Sequence, residues 1–501
     1  MTFLIVFLIY FACVATLGLI ARGRNKRLDD FLLAGRHLGT FTSAISAQAS
    51  DMSAWLVIAL PGIAYRDGLS AIWVVVGCTA GTVFNWFVLA RRLRHQTEQY
   101  GALTVPDYLE ARFGGDGTHV LRLIAVFIIL FSYCSYVSAQ FIAAGKLFET
   151  ISGSVPGLNV SYTAAIVIGA AIVMLYTIIG GFLAASWTDV LQGMLMLFAV
   201  TLVPIVAVRS MGGIDKTLEL LRATGDPNTL LSFTFGKSGA GFFLGVLLSN
   251  TSWAFGYPGQ PHILARYMAI RDERKVYLAG TISVIWVVFA LFGAFMLGLL
   301  GRALTQASLA DPEHVMPAMS YKLLPAWLCA VVCAAALAAM MSTADSQLLV
   351  GSACIVEDIV VKTLKRPLSS ARAVHMSRVA VVIITLFAVA VSLRKANVFG
   401  QVFSAWSSLG AGLGPALVLS ALWKRTRKEA VAAGMIFGIL FVNIWPRVHA
   451  PLGWEYLKDP LALGFLGSMA IIIALSLLRG EQSRPDDQCG ATAPSATLHG
   501  R

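Results

Sequence analysis

The chain predicts an all-α polytopic membrane protein with about thirteen transmembrane helices. Three observations predict it. Charged residues make up only 13% of the 501 residues, and hydrophobic ones 57%; a soluble domain carries about 25% charged. Apolar stretches of roughly twenty residues, enough to span a ~30 Å hydrocarbon core, recur from end to end with no long polar segment between them. Basic residues gather in alternate loops.

The first stretch, residues 3–21, is followed rather than preceded by basic residues: Arg22, Arg24, Lys26 and Arg27. A cleaved signal peptide has the opposite flanks, so this reads as a retained helix. The remaining spans lie near 40–64, 70–90, 119–147, 162–182, 188–208, 239–259, 276–301, 325–354, 373–393, 398–422, 429–446 and 461–478. Residues 1–479 read as one membrane domain, and 480–501 as a short, disordered cytoplasmic tail. Seven scattered cysteines form neither a disulfide framework nor a metal-ligand cluster.

Orientation follows from the basic residues, which favour cytoplasmic loops. Alternate loops place on one side the groups 22–36, 91–122, 266–275, 362–378, 424–428 and 479–501, with 26 of the 38 lysines and arginines. This predicts an outside N-terminus and an inside C-terminus, which an odd number of spans requires. Lipid topology thus accounts for the net charge of +12 without nucleic acid. Expected partners are membrane lipid and a small-molecule substrate, with no nucleic acid and no obligatory protein partner.

Two spans are poor continuous helices. In 40–64 the middle, Ser46–Ser53, is small and polar and carries Asp51. The span 239–261 ends with Gly256, Pro258, Gly259 and Pro261. Proline removes a backbone donor. Broken backbone survives in lipid only where it is buried in protein or lines a wet cavity. Discontinuous helices in matching positions of two halves point to a transporter site. These are spans 2 and 7, a spacing that suits two inverted five-helix repeats, spans 2–6 and 7–11. The alternative is a proline kink and a polar packing seam.

Asp51, Asp189 and Asp345 are the clearest intramembrane carboxylates. Such groups cost about 2.5–3.5 kcal/mol on insertion scales, so each reads as a functional group or a structural anchor between helices. Asp189, near a predicted span end, is expected to be solvated at the interface. In Ala338–Ser346, residues three and four apart share a helix face, so Ala339, Ser342 and Thr343 converge. Hard cations take oxygen ligands, backbone carbonyls included, and an unwound span 2 would add carbonyls. Either a Na⁺ shell or an ordinary Ser/Thr helix seam fits these residues.

Gly236-Lys237-Ser238 resembles the end of a P-loop, but Leu231 stands where that motif needs glycine. Nothing predicts an enzyme or an organic cofactor; an ion gradient must supply the energy. His262 and Arg266 are expected at a cytoplasmic boundary, capping a helix or facing lipid.

The segments Ala49–Trp55, YTIIGGFLAASWTD (176–189), GYPGQPHILARYM (256–268) and AAMMSTADSQLLV (338–350) resemble the sodium/solute symporter family. The similarity covers nearly the whole chain, and GQPHILAR (259–266) is similar to the proline-carrying branch. The resemblance implies a leucine-transporter-type fold in a bacterial cytoplasmic membrane. It implies Na⁺-coupled uptake of L-proline by alternating access, or of another small amino acid or carboxylate. By position it implies Na⁺ ligands at Ala49, Met52, Ala339, Ser342 and Thr343. The essential carboxylate matches Asp51, with Asp189 as a further coupling or structural carboxylate. Substrate contacts match Ser53, Ala54, Trp55, Tyr136, Trp253, Tyr257 and Pro261. Ala54 departs from the glycine of proline-carrying members, and Ala344-Asp345 departs from their apolar and small pair. Some relatives fuse this fold to signalling domains; the twenty-residue tail is too short for a kinase, which argues against a sensor.

Overall fold

The computed structural model describes residues 2–22, 28–114, 117–154, 160–394, 396–454 and 457–478. The predicted tail 480–501 and the basic residues Arg24, Lys26, Arg27, Arg479, Arg484 and Arg501 lie outside the described residues. Within them the chain is helical throughout, with one isolated parallel bridge between Leu38 and Ile270.

Among the described residues ten helices are long and apolar enough to cross a membrane. Two of these, Trp55–Gln99 with 45 residues and Tyr162–Ser210 with 49, would run about 67 and 73 Å at 1.5 Å per residue. That is about twice a bilayer core, and each is interrupted. The first turns at Gly68, with φ of 63° and ψ of −140°. The second turns at Gly181, with φ of 61° and ψ of −164°. Side chains rarely adopt such φ values, whereas glycine does so freely. The expected thirteen counts these pieces, and the broken run 239–269, separately. The helix after Gly181 resumes at once, so residues 183–187, expected between spans, are helical.

Burial sorts the helices. The windows in Val398–Leu422 and Ala326–Thr363 are 89% and 78% buried, while those in Thr2–Ala21 and Ser370–Ser392 are 28% and 33% buried. The central pair is rich in small residues: Ala334–Ala336, Ala338 and Ala339 in one, Gly410–Gly412 and Gly414 in the other. Association in lipid depends on close packing rather than on escape from water, and small residues allow backbones to approach. The peripheral helices spend bulky Leu, Ile and Phe on the outside, as at Leu4, Leu8, Phe387 and Ile383.

Candidate functional site

Both expected breaks occur. The helix Thr40–Asp51 ends at Met52, whose amide donates to the Gln48 carbonyl. Helical bonding restarts where the Leu56 amide donates to the Met52 carbonyl at 3.1 Å. In between, side chains replace backbone acceptors. The Ala54 amide donates to Gln140 Oε1 at 2.9 Å, and the Trp55 amide to Ser53 Oγ at 3.2 Å. Serine competes locally for backbone bonds in this way.

The second break runs through Tyr257–Gly259 to Gln260, before the helix Pro261–Ala269. Pro258 and Pro261 have no amide to donate. The stranded carbonyls are met by side chains. Gln260 Nε2 donates to Gly256 O at 3.1 Å and Trp406 O at 3.3 Å, and Asn85 Nδ2 donates to Tyr257 O at 2.9 Å. Gly256 is required here, because a Cβ would stand 1.8 Å from Trp406 Nε1.

The small-residue helix Ala326–Ala353 meets the first break directly. Ser342 Oγ donates to Ala49 O at 2.8 Å and Ala339 O at 3.0 Å, and Thr343 Oγ1 donates to Ser50 O at 2.8 Å. Ala49, Ser342, Thr343 and Ala339 are fully buried. Two hydroxyls and three carbonyls therefore gather where a broken helix crosses an intact one. A cation entering here would need the hydroxyls only to rotate, turning lone pairs inward. The Met52 carbonyl instead accepts from Leu56, and the Ser50 carbonyl stands beside Thr343 in this group.

A buried polar network lies one turn away. Asp189 Oδ2 accepts from Ser46 Oγ at 2.6 Å, Ser50 Oγ at 3.0 Å and Arg266 NH2 at 3.0 Å. Arg266 also donates to Ser46 Oγ, the His262 carbonyl and Ser346 Oγ, and stacks 4.8 Å over the Phe182 ring. Ser346 and Tyr176 both donate to Asp345. Two expectations are corrected. Asp189 is not solvated, and neither Arg266 nor His262 faces lipid; all three are 0% exposed. Helix ends judged from hydropathy place these residues near an edge. The turn at Gly181 instead folds the Asp189 segment inward, where arginine and carboxylate neutralise each other.

The aromatic residues form the other wall. Trp55 and Trp253 stack with centroids 4.6 Å apart and planes 14° apart. Carbon contacts of about 3.5–4.0 Å leave no room for a solute ring between them. Trp406 stands edge-on to Tyr257 at 5.0 Å and donates its indole hydrogen to Trp253 O. Tyr136 lies edge-on to His262, the residue after Pro261, at 6.0 Å. The hydroxyls of Tyr136 and Tyr257 and both oxygens of Asp51 are buried without a hydrogen-bond partner. Tyr136 and Tyr257 lie within electrostatic reach of Asp51, as do Cys78 and Tyr267. Unsatisfied groups so concentrated suit a polar ligand.

A vestibule of about 450 Å³ leads to Trp253, lined by Arg66, Ser70, Lys237, Phe399, Phe403 and Asp459 among others. Ser252 Oγ donates to Asp459, and burial pushes that carboxyl up to about 7. The other end of the helix Thr40–Asp51 is tied down by hydrogen bonds. Leu38 pairs with residues 269–271, and Arg36 bonds Thr97, Met268 and Ala102.

The sequence model of the sodium:solute symporter family matches residues 31–438. The chain belongs to the sodium:solute symporter family. It is 37% identical over 479 residues to the sodium/proline symporter of Escherichia coli, covering 94% of this chain and 92% of that one. It is 38% identical to the high-affinity proline transporter PutP of Bacillus subtilis, covering 92% and 95%. Among solved structures it is similar to an outward-open Na⁺-coupled sialic acid symporter, with a TM-score of 0.77, 18% identity, and 96% and 99% of the two chains covered. It is also similar to MhsT in complex with L-phenylalanine, with a TM-score of 0.55, 14% identity, and 87% and 99% covered. The fold is therefore the leucine-transporter type, in a multi-pass membrane protein.

The fold brings Ala49, Ala339, Ser342 and Thr343 to one place, and Trp55, Trp253 and Tyr257 to another. Ser50, Asn85, Gln140 and Trp406 were missed. Gln140 does carry a signal, as a lone carboxamide one helical turn after Tyr136 in an apolar helix.

Proposed function

We propose that this symporter couples Na⁺ entry to uptake of L-proline by alternating access. The observation that carries this is identity of 37–38% over more than nine-tenths of the chain to a sodium/proline symporter and a proline transporter. The local chemistry supports it. Ala49, Ala339, Ser342 and Thr343 offer neutral oxygens to Na⁺, with Met52 a candidate that would join if its bond to Leu56 opened. Proline presents a carboxylate, a secondary ammonium and an apolar ring. Ser53, Ala54, Trp55, Tyr136, Trp253, Tyr257 and Pro261 surround the proposed solute site. The buried Asp51 carboxyl offers it oxygen acceptors, and aromatic faces there favour a cation. Asp189, locked to Arg266, holds the frame.

Zwitterionic proline carries no net charge, so one accompanying Na⁺ makes transport electrogenic. Each charge gains about 2.3 kcal/mol per 100 mV, and a tenfold concentration ratio costs about 1.4 kcal/mol. In proteoliposomes, an inside-negative potential imposed by K⁺ and valinomycin is expected to accelerate Na⁺-dependent uptake of labelled proline. Around 100 mV supports more than tenfold accumulation. Efficient proline uptake indifferent to both Na⁺ and potential defeats the coupling. Failure of proline to compete with another transported amino acid or carboxylate defeats the substrate.

We also propose an outside N-terminus, an inside C-terminus and a bacterial cytoplasmic membrane, on the distribution of basic residues. Residues 1–479 act as one transporter domain, with spans 2–6 and 7–11 as inverted repeats. Glu219 and Lys424 are both exposed. An impermeant thiol reagent applied to right-side-out vesicles is expected to label Glu219→Cys and spare Lys424→Cys. The reverse pattern inverts the topology.

A further inference from the structure

We propose that Gln140 is a specificity-determining residue of the solute site, its carboxamide oxygen accepting a hydrogen bond from the protonated amino group of the solute. This rests on the assignment of an amino-acid substrate above.

Gln140 is almost wholly buried in the helix Val120–Ser154, among Ala139, Phe141, Ile142 and Ala143. A carboxamide is costly there unless its bonds are made. Its orientation is settled by chemistry. The Ala54 amide can only donate, so the atom 2.9 Å from it is Oε1, and Nε2 donates to the Tyr136 carbonyl at 3.3 Å. The group is held at both ends. A carbonyl oxygen has two lone pairs, and Ala54 uses one.

The second lone pair belongs to an atom fixed at the helix break. Gln140 lies one turn beyond Tyr136, so the two share a helix face. Ala54, its partner, adjoins Ser53 and Trp55. Of the groups gathered there, Asp51 supplies two unpartnered carboxyl oxygens, and the unpartnered Tyr136 and Tyr257 hydroxyls supply adaptable bonds. Gln140 supplies a neutral acceptor of fixed direction. A secondary ammonium has two N–H donors, one for an oxygen of Asp51 and one for this carbonyl. A solute whose nitrogen bears no hydrogen cannot use the second acceptor. Discrimination is strongest where a buried polar group would be left unpaired.

The test is binding of radiolabelled proline to purified protein in Na⁺, with inhibition by N,N-dimethylproline, which has a cationic nitrogen but no N–H. Gln140→Leu is expected to weaken proline about tenfold or more, the order expected for a hydrogen bond to a charged group. The inhibition constant of N,N-dimethylproline should move less than about twofold, so the preference between the two collapses. Gln140→Glu keeps an acceptor and should hold proline within about threefold of the wild type. Should Gln140→Leu fail to fold, Gln140→Met, of similar length, carries the same comparison. Equal weakening of both ligands makes Gln140 a cap of the Ala54 amide and overturns the proposal. Unchanged proline affinity overturns it too. A wild type that binds Na⁺ but not proline defeats the substrate assignment itself, and the proposal with it.

Discussion

Arg266→Met is expected to strip the carrier of most of its stability. The guanidinium and the Asp189 carboxylate are each 0% exposed and 3.0 Å apart, so the substitution leaves a carboxylate buried without its counter-charge. Breaking a buried pair from one side costs about 3–5 kcal/mol, a large share of a native stability of about 5–15 kcal/mol. The loss is not confined to one bond. Arg266 ties the helix Pro261–Ala269 to Ser46 on the first broken helix and to Ser346 on the central one. Thermal unfolding in detergent, followed by size exclusion of the surviving protein, reads the effect. Adding Asp189→Leu to Arg266→Met removes the stranded charge and should recover part of the lost melting temperature. A single variant that melts with the wild type would show that the pair contributes nothing to the fold. A double variant no better than the single would show that charge is not the reason.

Removing both hydroxyls of the proposed cation shell, Ser342→Ala with Thr343→Ala, is expected to nearly abolish Na⁺-driven uptake while leaving the protein folded. Each hydroxyl reaches a main-chain oxygen of the broken helix, at Ala49 and Ser50. In the absence of an ion these are ordinary neutral bonds, each contributing about 0.5–1.5 kcal/mol. Toward Na⁺ each hydroxyl oxygen acts as a ligand in a dehydrated site, where an interaction with a charge is stronger, about 1.5–3 kcal/mol. Each single substitution should therefore raise the Na⁺ concentration for half-maximal uptake roughly tenfold or more. The double variant should lose its response to the Na⁺ gradient. Uptake as a function of external Na⁺ decides the matter, with melting temperature as the control. Wild-type Na⁺ dependence in both single variants would remove these hydroxyls from the shell.

The two sets of residues were not equally legible. Ser342 and Thr343 announce themselves because a helix puts residues three and four apart on one face, and because hydroxyls are conspicuous in an alanine-rich span. The breaks are legible for a similar local reason. Pro258 and Pro261 cannot donate, and Ser46–Ser53 has little that favours a continuous apolar helix. Asp189 and Arg266 misled, because depth judged from hydropathy assumes a straight helix running to the membrane edge. Gly181 bends the first away from that path, and the extended Gln260 precedes the short helix that carries the second inward.

By itself the sequence determined the membrane, the helical class and the positions of both breaks. Each follows from local chemistry: apolar length, missing amides, or periodicity along one helix. Which carbonyl meets which hydroxyl was decided only in the tertiary structure. Thr343 reaches Ser50 rather than Met52, Gln140 covers the Ala54 amide from 86 positions away, and Arg266 finds Asp189 across 77. Such pairings depend on where helices cross and how far each has turned. A rotation of one residue, about 100° in a helix of 3.6 residues per turn, would carry every one of these side chains to a different neighbour.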